Sequence, residues 1–328
     1  MTNQFRLRIA AMLVAAGMVL GVAACGSDDD DGGAGGGGGG SDSNLIEENP
    51  DHNGIAITVG SKNFNEQYIL GEIYAQALEA AGYDVSTDLS LGSEQIALEA
   101  LESGEISGYP EYTSTALTSF FDAAPEDVPS DGQEAVDQAQ ADFEEKGLVA
   151  YPPTEFSSAN AVGLLTETAE ELDVETISDL EGVSEDLDLY GSPECRQRID
   201  CLVGLEENYG LEFASFTPVD IGLRYEVLDK GDADLSILFT TDAQLFVNED
   251  EYTTLEDDQG VLPAGNVTFI ASQEAADEAG PDFGDTIEKV QSDLSLEVMQ
   301  ELNARVEIDK EKPEEAAASY LQEFGYVE

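Results

Sequence analysis

Apolar residues along this chain fall into short runs that alternate with stretches of helical period. The clearest unit begins at Ile55-Ala-Ile-Thr-Val59, a run rich in β-branched residues that predicts a buried strand. Gly60 and Ser61 break the run. Asn63 or Asn65 is then expected to cap a helix, with Glu66 in its first turn. Ile69, Leu70, Ile73, Tyr74, Ala77, Leu78 and Ala81 recur at helical spacing, and Gly82 stops the helix. A strand, a tight turn and a helix place that turn at the carboxyl end of a strand, where open α/β sheets bind ligands. The free N–H groups of a helix start favour an anion, and Lys62 adds a full positive charge at the same place.

The alternation continues. Asp84–Leu89 reads as a strand, and Gly92-Ser-Glu opens a helix with Ile96, Leu98, Ala100 and Leu101 as its apolar side. The strand Ile106–Tyr109 leads into Pro110, which sets Tyr112 and Thr115 just past a strand end. A helix is expected over Gln133–Glu145 and a strand over Leu148–Tyr151. A loop rich in Pro and Ser then precedes a new strand, Ala161–Leu165, which marks a crossing into a second lobe. There, Ile177–Leu180 suggests a docking helix, and the strand Leu187–Gly191 runs into a loop carrying Cys195 and Arg198. Leu202–Tyr209 reads as helix, and the strand Phe213–Val219 ends at Asp220, the expected cap of a helix Ile221–Asp229. Ala233–Leu238 is a buried strand with Phe239-Thr-Thr-Asp242 at its carboxyl end. Val261–Ile270 returns to the first lobe, which helices near Asp285–Asn303 and Pro313–Phe324 complete. The pattern predicts an α/β fold of two lobes, 54–158 plus 266–328 and 159–265, with two crossovers and a ligand cleft between them.

The N-terminus is of another kind. Residues 1–24 read as an export signal, with Arg6 and Arg8 ahead of an apolar run, Ile9 to Leu20, that is too short to span a bilayer comfortably. Val22-Ala-Ala-Cys25 resembles a bacterial lipoprotein cleavage box with Cys25 as the lipidated residue; the alternative is an ordinary secretory signal with a chance cysteine. The expected location is extracytoplasmic, on the outer face of the cell membrane, with the lipid as the only membrane contact. Residues 25–53, rich in Gly and Asp, are expected to form a disordered tether that also carries His52, the one histidine.

Seventy-one acidic residues face twelve basic ones, a formal charge of −59. Loss of residues 1–24 would remove Arg6 and Arg8, giving 10 − 71 = −61. Such a chain repels nucleic acid and anionic lipid, and its surface suits a saline habitat. The acids are dispersed rather than set at metal-ligand spacing, so no metal or cofactor is expected. With Cys25 in the targeting segment, Cys195 and Cys201 remain; in an exported protein such a pair reads as a disulfide rather than a metal site. An enzyme finds little support, since there is no Gly-x-Ser-x-Gly elbow, no P-loop and no histidine outside the tether.

Three motifs carry a resemblance: Gly60-Ser-Lys-Asn-Phe-Asn-Glu-Gln67, Gly108-Tyr-Pro-Glu-Tyr-Thr-Ser-Thr115 and Phe239-Thr-Thr-Asp242. Together they resemble the substrate-binding proteins of osmoprotectant ABC importers, which take glycine betaine, choline or carnitine. The resemblance implies a two-lobed type II periplasmic-binding-protein-like fold, a monomer, and a permease and ATPase as separate chains. It aligns Lys62 and Arg198 with the family's carboxylate-contacting Lys and Arg, and Thr115 with its supporting hydroxyl. Asn63 and Gln67 lie in the first motif, Gln67 either at the solute or bracing the turn. A quaternary ammonium cannot donate hydrogen bonds and is held by aromatic faces. Tyr112 and Phe239 match two members of the family's aromatic cage; the other two fall near Asn160 and Gly265, neither aromatic. Phe64, Phe156 and Tyr225 are candidates to fill the gaps. The alternatives are the same fold serving an amino acid or an uncharged osmolyte, and a lipoprotein with no transport role.

Overall fold

The computed structural model describes residues 44–248 and 250–328. The expected signal, Cys25 and the tether as far as residue 43 lie outside the described residues. The remaining part of that expected tether is a packed segment. Ile46 N donates to Tyr326 O at 2.8 Å, and His52 is buried, its ring stacked 4.1 Å from that of Tyr83. His52 Nδ1 lies 2.8 Å from Ala81 O. These partners lie far along the chain, so local composition gave no sign of them.

Among the described residues, eleven strands form two sheets. The first contains β1 (Ala56–Gly60), β2 (Asp84–Asp88), β3 (Gly108–Tyr112), β4 (Leu148–Ala150) and β5 (Ser157–Ser158). The second contains β6 (Asn160–Leu165), β7 (Asp188–Gly191), β8 (Ser215–Pro218), β9 (Leu235–Phe239) and β10 (Tyr252–Thr254). The chain then returns to the first sheet as β11 (Gly265–Ser272). The first sheet runs β2-β1-β3-β11-β4, with β5 also paired to β11; β1 is parallel to β2 and β3, and β11 is antiparallel to its partners. The second runs β10-β6-β9-β7-β8, parallel about β7 and antiparallel about β6.

Each sheet has its own apolar core. In the first, the helix Asn65–Ala80 buries Ile69, Leu70, Ile73, Tyr74 and Leu78 against Ile57, Val59, Val267 and Phe269. The C-terminal helices add Phe283, Ile287, Leu302 and Tyr320 to it. In the second, Val162, Leu164, Leu189, Leu235 and Ile237 pack with Ile177, Leu180 and Leu205. Each such fully buried side chain stabilises by roughly 1.5–3 kcal/mol relative to exposure.

Several local expectations differ from what the chain does. Phe64, not an asparagine, occupies the cap position of the first helix, and no side chain caps it. Asn63 is exposed and its backbone N–H is already spent on Gly92 O at 3.1 Å. Ile96 is 48% exposed, because the buried face of Glu94–Glu102 runs through Ala97, Leu98 and Leu101. Asp220 precedes a short 3₁₀ turn, Ile221–Leu223, without a side-chain cap, and the α-helix starts at Arg224. The segment near Asp285–Asn303 is two helices, Pro281–Gln291 and Leu296–Glu307, the second capped by Ser295.

Candidate functional site

A cleft opens between the two sheets, lined from both sides. The turn after β1 contributes Lys62, Asn63 and Phe64, the end of β3 contributes Tyr112, and the helical turn Thr113–Thr115 that follows contributes Thr115. From the second sheet come Asn160 at the start of β6, Arg198 in the loop before Leu202, and Phe239 at the end of β9. Cys195 and Cys201 are disulfide-bonded and close the loop that carries Arg198. Among the sequence-predicted solute contacts, Gln67 stands apart from the lining. It is fully buried, accepts from Lys62 N at 3.1 Å and donates to Pro110 O at 2.9 Å. Its work is to tie the turn to β3.

Lys62 is buried and its ammonium pairs with the carboxylate of Glu111, itself without solvent contact. Glu111 Oε1 also accepts from Tyr112 N at 2.7 Å, and Oε2 from the Tyr109 hydroxyl at 3.0 Å. The same ammonium stands 4.6 Å from the centroid of the Tyr112 ring. Burial first, and the neighbouring carboxylates second, push the Tyr109 and Tyr112 phenols well above their ordinary range, so both remain neutral donors.

Arg198 is held by its own loop. Its Nε donates to Asp200 Oδ1 at 2.7 Å, and its Nη1 lies 3.8 Å from Glu94. Burial opposes the guanidinium's charge, but Asp200 and then Glu94 outweigh it and hold the group above its ordinary value. Thr118 Oγ1 donates to Asp200 Oδ2 at 3.2 Å, and Asn160 Nδ2 donates to the Asp200 carbonyl at 2.9 Å.

Three aromatic rings line the same cleft. Phe64 lies 6.3 Å from Tyr112, nearly parallel, and 5.4 Å from Phe239, tilted by 48°. Phe64 therefore stands in the cage region, while Phe156 belongs to the first core and Tyr225 is buried with its hydroxyl on Asp242. Gly265 cannot carry a ring, since a Cβ there would lie 2.3 Å from Ser114 Oγ and 2.6 Å from Ser114 N. Among the described residues, no His, Cys, Asp and Glu side chains are grouped to hold a metal ion, and no helix is long and apolar enough to cross a membrane.

The family model described as the substrate binding domain of ABC-type glycine betaine transport systems matches residues 55–323. The chain belongs to this family. A glycine-betaine-binding protein of Pseudomonas aeruginosa is 32% identical over 278 residues, covering 81% of this chain and 87% of that protein. An ergothioneine transport permease/ergothioneine binding protein of Helicobacter pylori is 29% identical over 283 residues; the match covers 86% of this chain and 49% of that longer protein. A crystal structure described as a glycine betaine/carnitine/choline ABC transporter aligns with a TM-score of 0.64 at 25% identity, over 81% of this chain and 98% of that one. The two sheets are thus the two lobes of a type II periplasmic-binding-protein fold, and the family's named members are solute-binding transport proteins rather than enzymes.

Two site residues escaped the sequence. Arg224 lines the cleft with its guanidinium carbon 4.1 Å from the Phe239 ring centroid, and its Nη2 donates to Asp242 Oδ1 at 2.8 Å. Its place on the same helix face as Leu228, four residues on, was the available signal. Glu66 lies behind Tyr112, whose hydroxyl donates to Glu66 Oε1 at 2.6 Å. It stands in the first motif, where it read only as a first-turn acid.

Proposed function

We propose that this chain is the extracytoplasmic, lipid-anchored solute receptor of an ABC importer, binding glycine betaine, choline or a related quaternary-ammonium compatible solute between its lobes. The observation that carries this reading is the meeting of three aromatic rings with Lys62 and Arg198 in one cleft. A trimethylammonium group gains from π faces, at about 0.5–2 kcal/mol each when desolvated. The solute's carboxylate would take the donors of Lys62 and Arg198 that Glu111 and Asp200 leave over, with Thr115 and Asn160 beside them. Cys25 would hold the receptor at the membrane, and a separate permease and ATPase would receive the solute. Two cations beside the rings, Lys62 and Arg198, support a solute that carries a carboxylate over an uncharged osmolyte.

Calorimetry tests it with glycine betaine, choline, carnitine, proline betaine and ergothioneine, against proline and trehalose as controls. At least one quaternary-ammonium solute should bind well ahead of the controls. Failure of all five removes the reading.

A further inference from the structure

The charges around the cleft are nearly all matched. Lys62 pairs with Glu111, Arg224 with Asp242, and Arg198 with Asp200. Glu66 and Glu307, which line a pocket with Phe64 and Phe239, have no ion pair among the described residues, and Glu66 is the more deeply buried and the one bonded to a cage ring. Glu66 is 4% exposed. Its two oxygens face neutral donors: Tyr112 Oη at 2.6 Å on one and Asn303 Nδ2 at 2.7 Å on the other. An amide nitrogen can only donate, so Oε2 must accept. Asn303 also donates to Thr241 O at 3.0 Å, which fixes this network to the segment that carries Phe239.

A buried carboxylate matched only by neutral donors costs stability, and burial raises its pKa while Tyr112, Thr241 and Asn303 pull it back. The group also sits in the first turn of the 16-residue helix Asn65–Ala80, whose positive end favours the anion. The Lys62 ammonium, 4.6 Å from the Tyr112 ring centroid, is already paired with Glu111, so what the Glu66 charge could serve is a second cation at that ring, one borne by the solute. A phenol that donates to a carboxylate is electron-rich, and its face attracts a cation more strongly.

We propose that Glu66 is the positioning residue that makes the cleft select a permanently cationic head group, by fixing the Tyr112 ring through its hydroxyl and placing an unmatched negative charge behind it. The inference rests on the quaternary-ammonium reading above. Glu66 does not touch the solute; it acts through Tyr112.

The test separates charge from shape. The full mature chain is titrated with choline and with 3,3-dimethylbutan-1-ol, its uncharged isostere. Glu66→Gln keeps the size of the side chain and should weaken choline binding about tenfold, with the isostere unaffected. Tyr112→Phe keeps the ring, severs the link to Glu66 and should weaken choline binding more than that of the isostere. It carries the test alone if Glu66→Gln does not fold. Equal losses for both solutes, or no loss for either, overturn the inference while leaving the solute class standing. A parent protein that binds choline, glycine betaine and carnitine no better than the isostere overturns the functional reading, and this inference with it.

Discussion

Arg198 Nη2 lies 3.4 Å from Thr115 Oγ1, joining the disulfide loop of one lobe to the end of β3 in the other. The contact places a scarce cation at the seam between lobes, already oriented by Asp200. Arg198→Ala would leave Asp200, 3% exposed, without its cation. Its unfolding free energy should fall by about 2 kcal/mol, and solute affinity by about tenfold or more. The double variant Arg198→Ala/Asp200→Asn should regain most of the stability and none of the affinity. Denaturant titration and calorimetry on both variants check this; wild-type affinity in Arg198→Ala would take the residue out of the site.

The Cys195–Cys201 bridge spans a sequence separation of 6. Closing so short a loop should stabilise by about 2 kcal/mol. Its removal by Cys195→Ser/Cys201→Ser should lower stability by that amount and also loosen solute binding, because Arg198 lies inside the loop. A variant that melts earlier yet binds unchanged would confine the bridge to a structural role.

Glu307 is pushed up to about 7, chiefly by burial and then by the charge of Asp242. A carboxyl whose folded pKa exceeds its unfolded value of about 4.5 binds its proton more tightly in the native state. Its contribution is therefore most favourable below the unfolded value and is lost as pH rises through 7. Stability should decline between about pH 5 and 8, and Glu307→Gln should flatten that decline. General self-repulsion tilts both proteins alike, so the difference between the two curves isolates Glu307. Parallel curves would contradict the assignment.

With a formal charge of −59, the folded state pushes against itself. Added salt shortens the range of that repulsion from about 10 Å at 0.1 M to about 3 Å at 1 M. The melting temperature should climb over this interval. A flat response would show that the acids are spaced too widely to interact.

The strand–turn–helix unit at Ile55–Gly82 and most of the strands were legible because period and β-branching are local signals; the short strands Ser157–Ser158 and Tyr252–Thr254 were not. The disulfide was legible too, once Cys25 was assigned to targeting. The cleft itself was legible only through motifs, since Lys62, Arg198 and Phe239 are far apart in the chain and meet through two sheets. The packed segment 44–53 was not legible: Ile46 and His52 take their partners from Tyr326 and Tyr83. Of the three rings named as candidates to fill the cage, Phe64 lines the cleft, while Phe156 and Tyr225 are core rings, a division that sequence position alone did not make. Arg224 and Glu66 were hidden for other reasons. In a chain with 71 acids the Glu66 carboxylate carries no mark, and Arg224 stands in a helix outside every motif, so only burial distinguishes either.

Ser158 and Gly265 are partners in register where β5 meets β11. Everything from Asn160 to Pro263 is strung between these two neighbours, so the outgoing and the incoming backbone share a single doorway. A body fastened at one edge can swing about that edge like a gate on its post. Any widening of the cavity's mouth about that doorway would have to break the bonds that cross the seam elsewhere, Arg198 to Thr115 and Asn303 to Thr241.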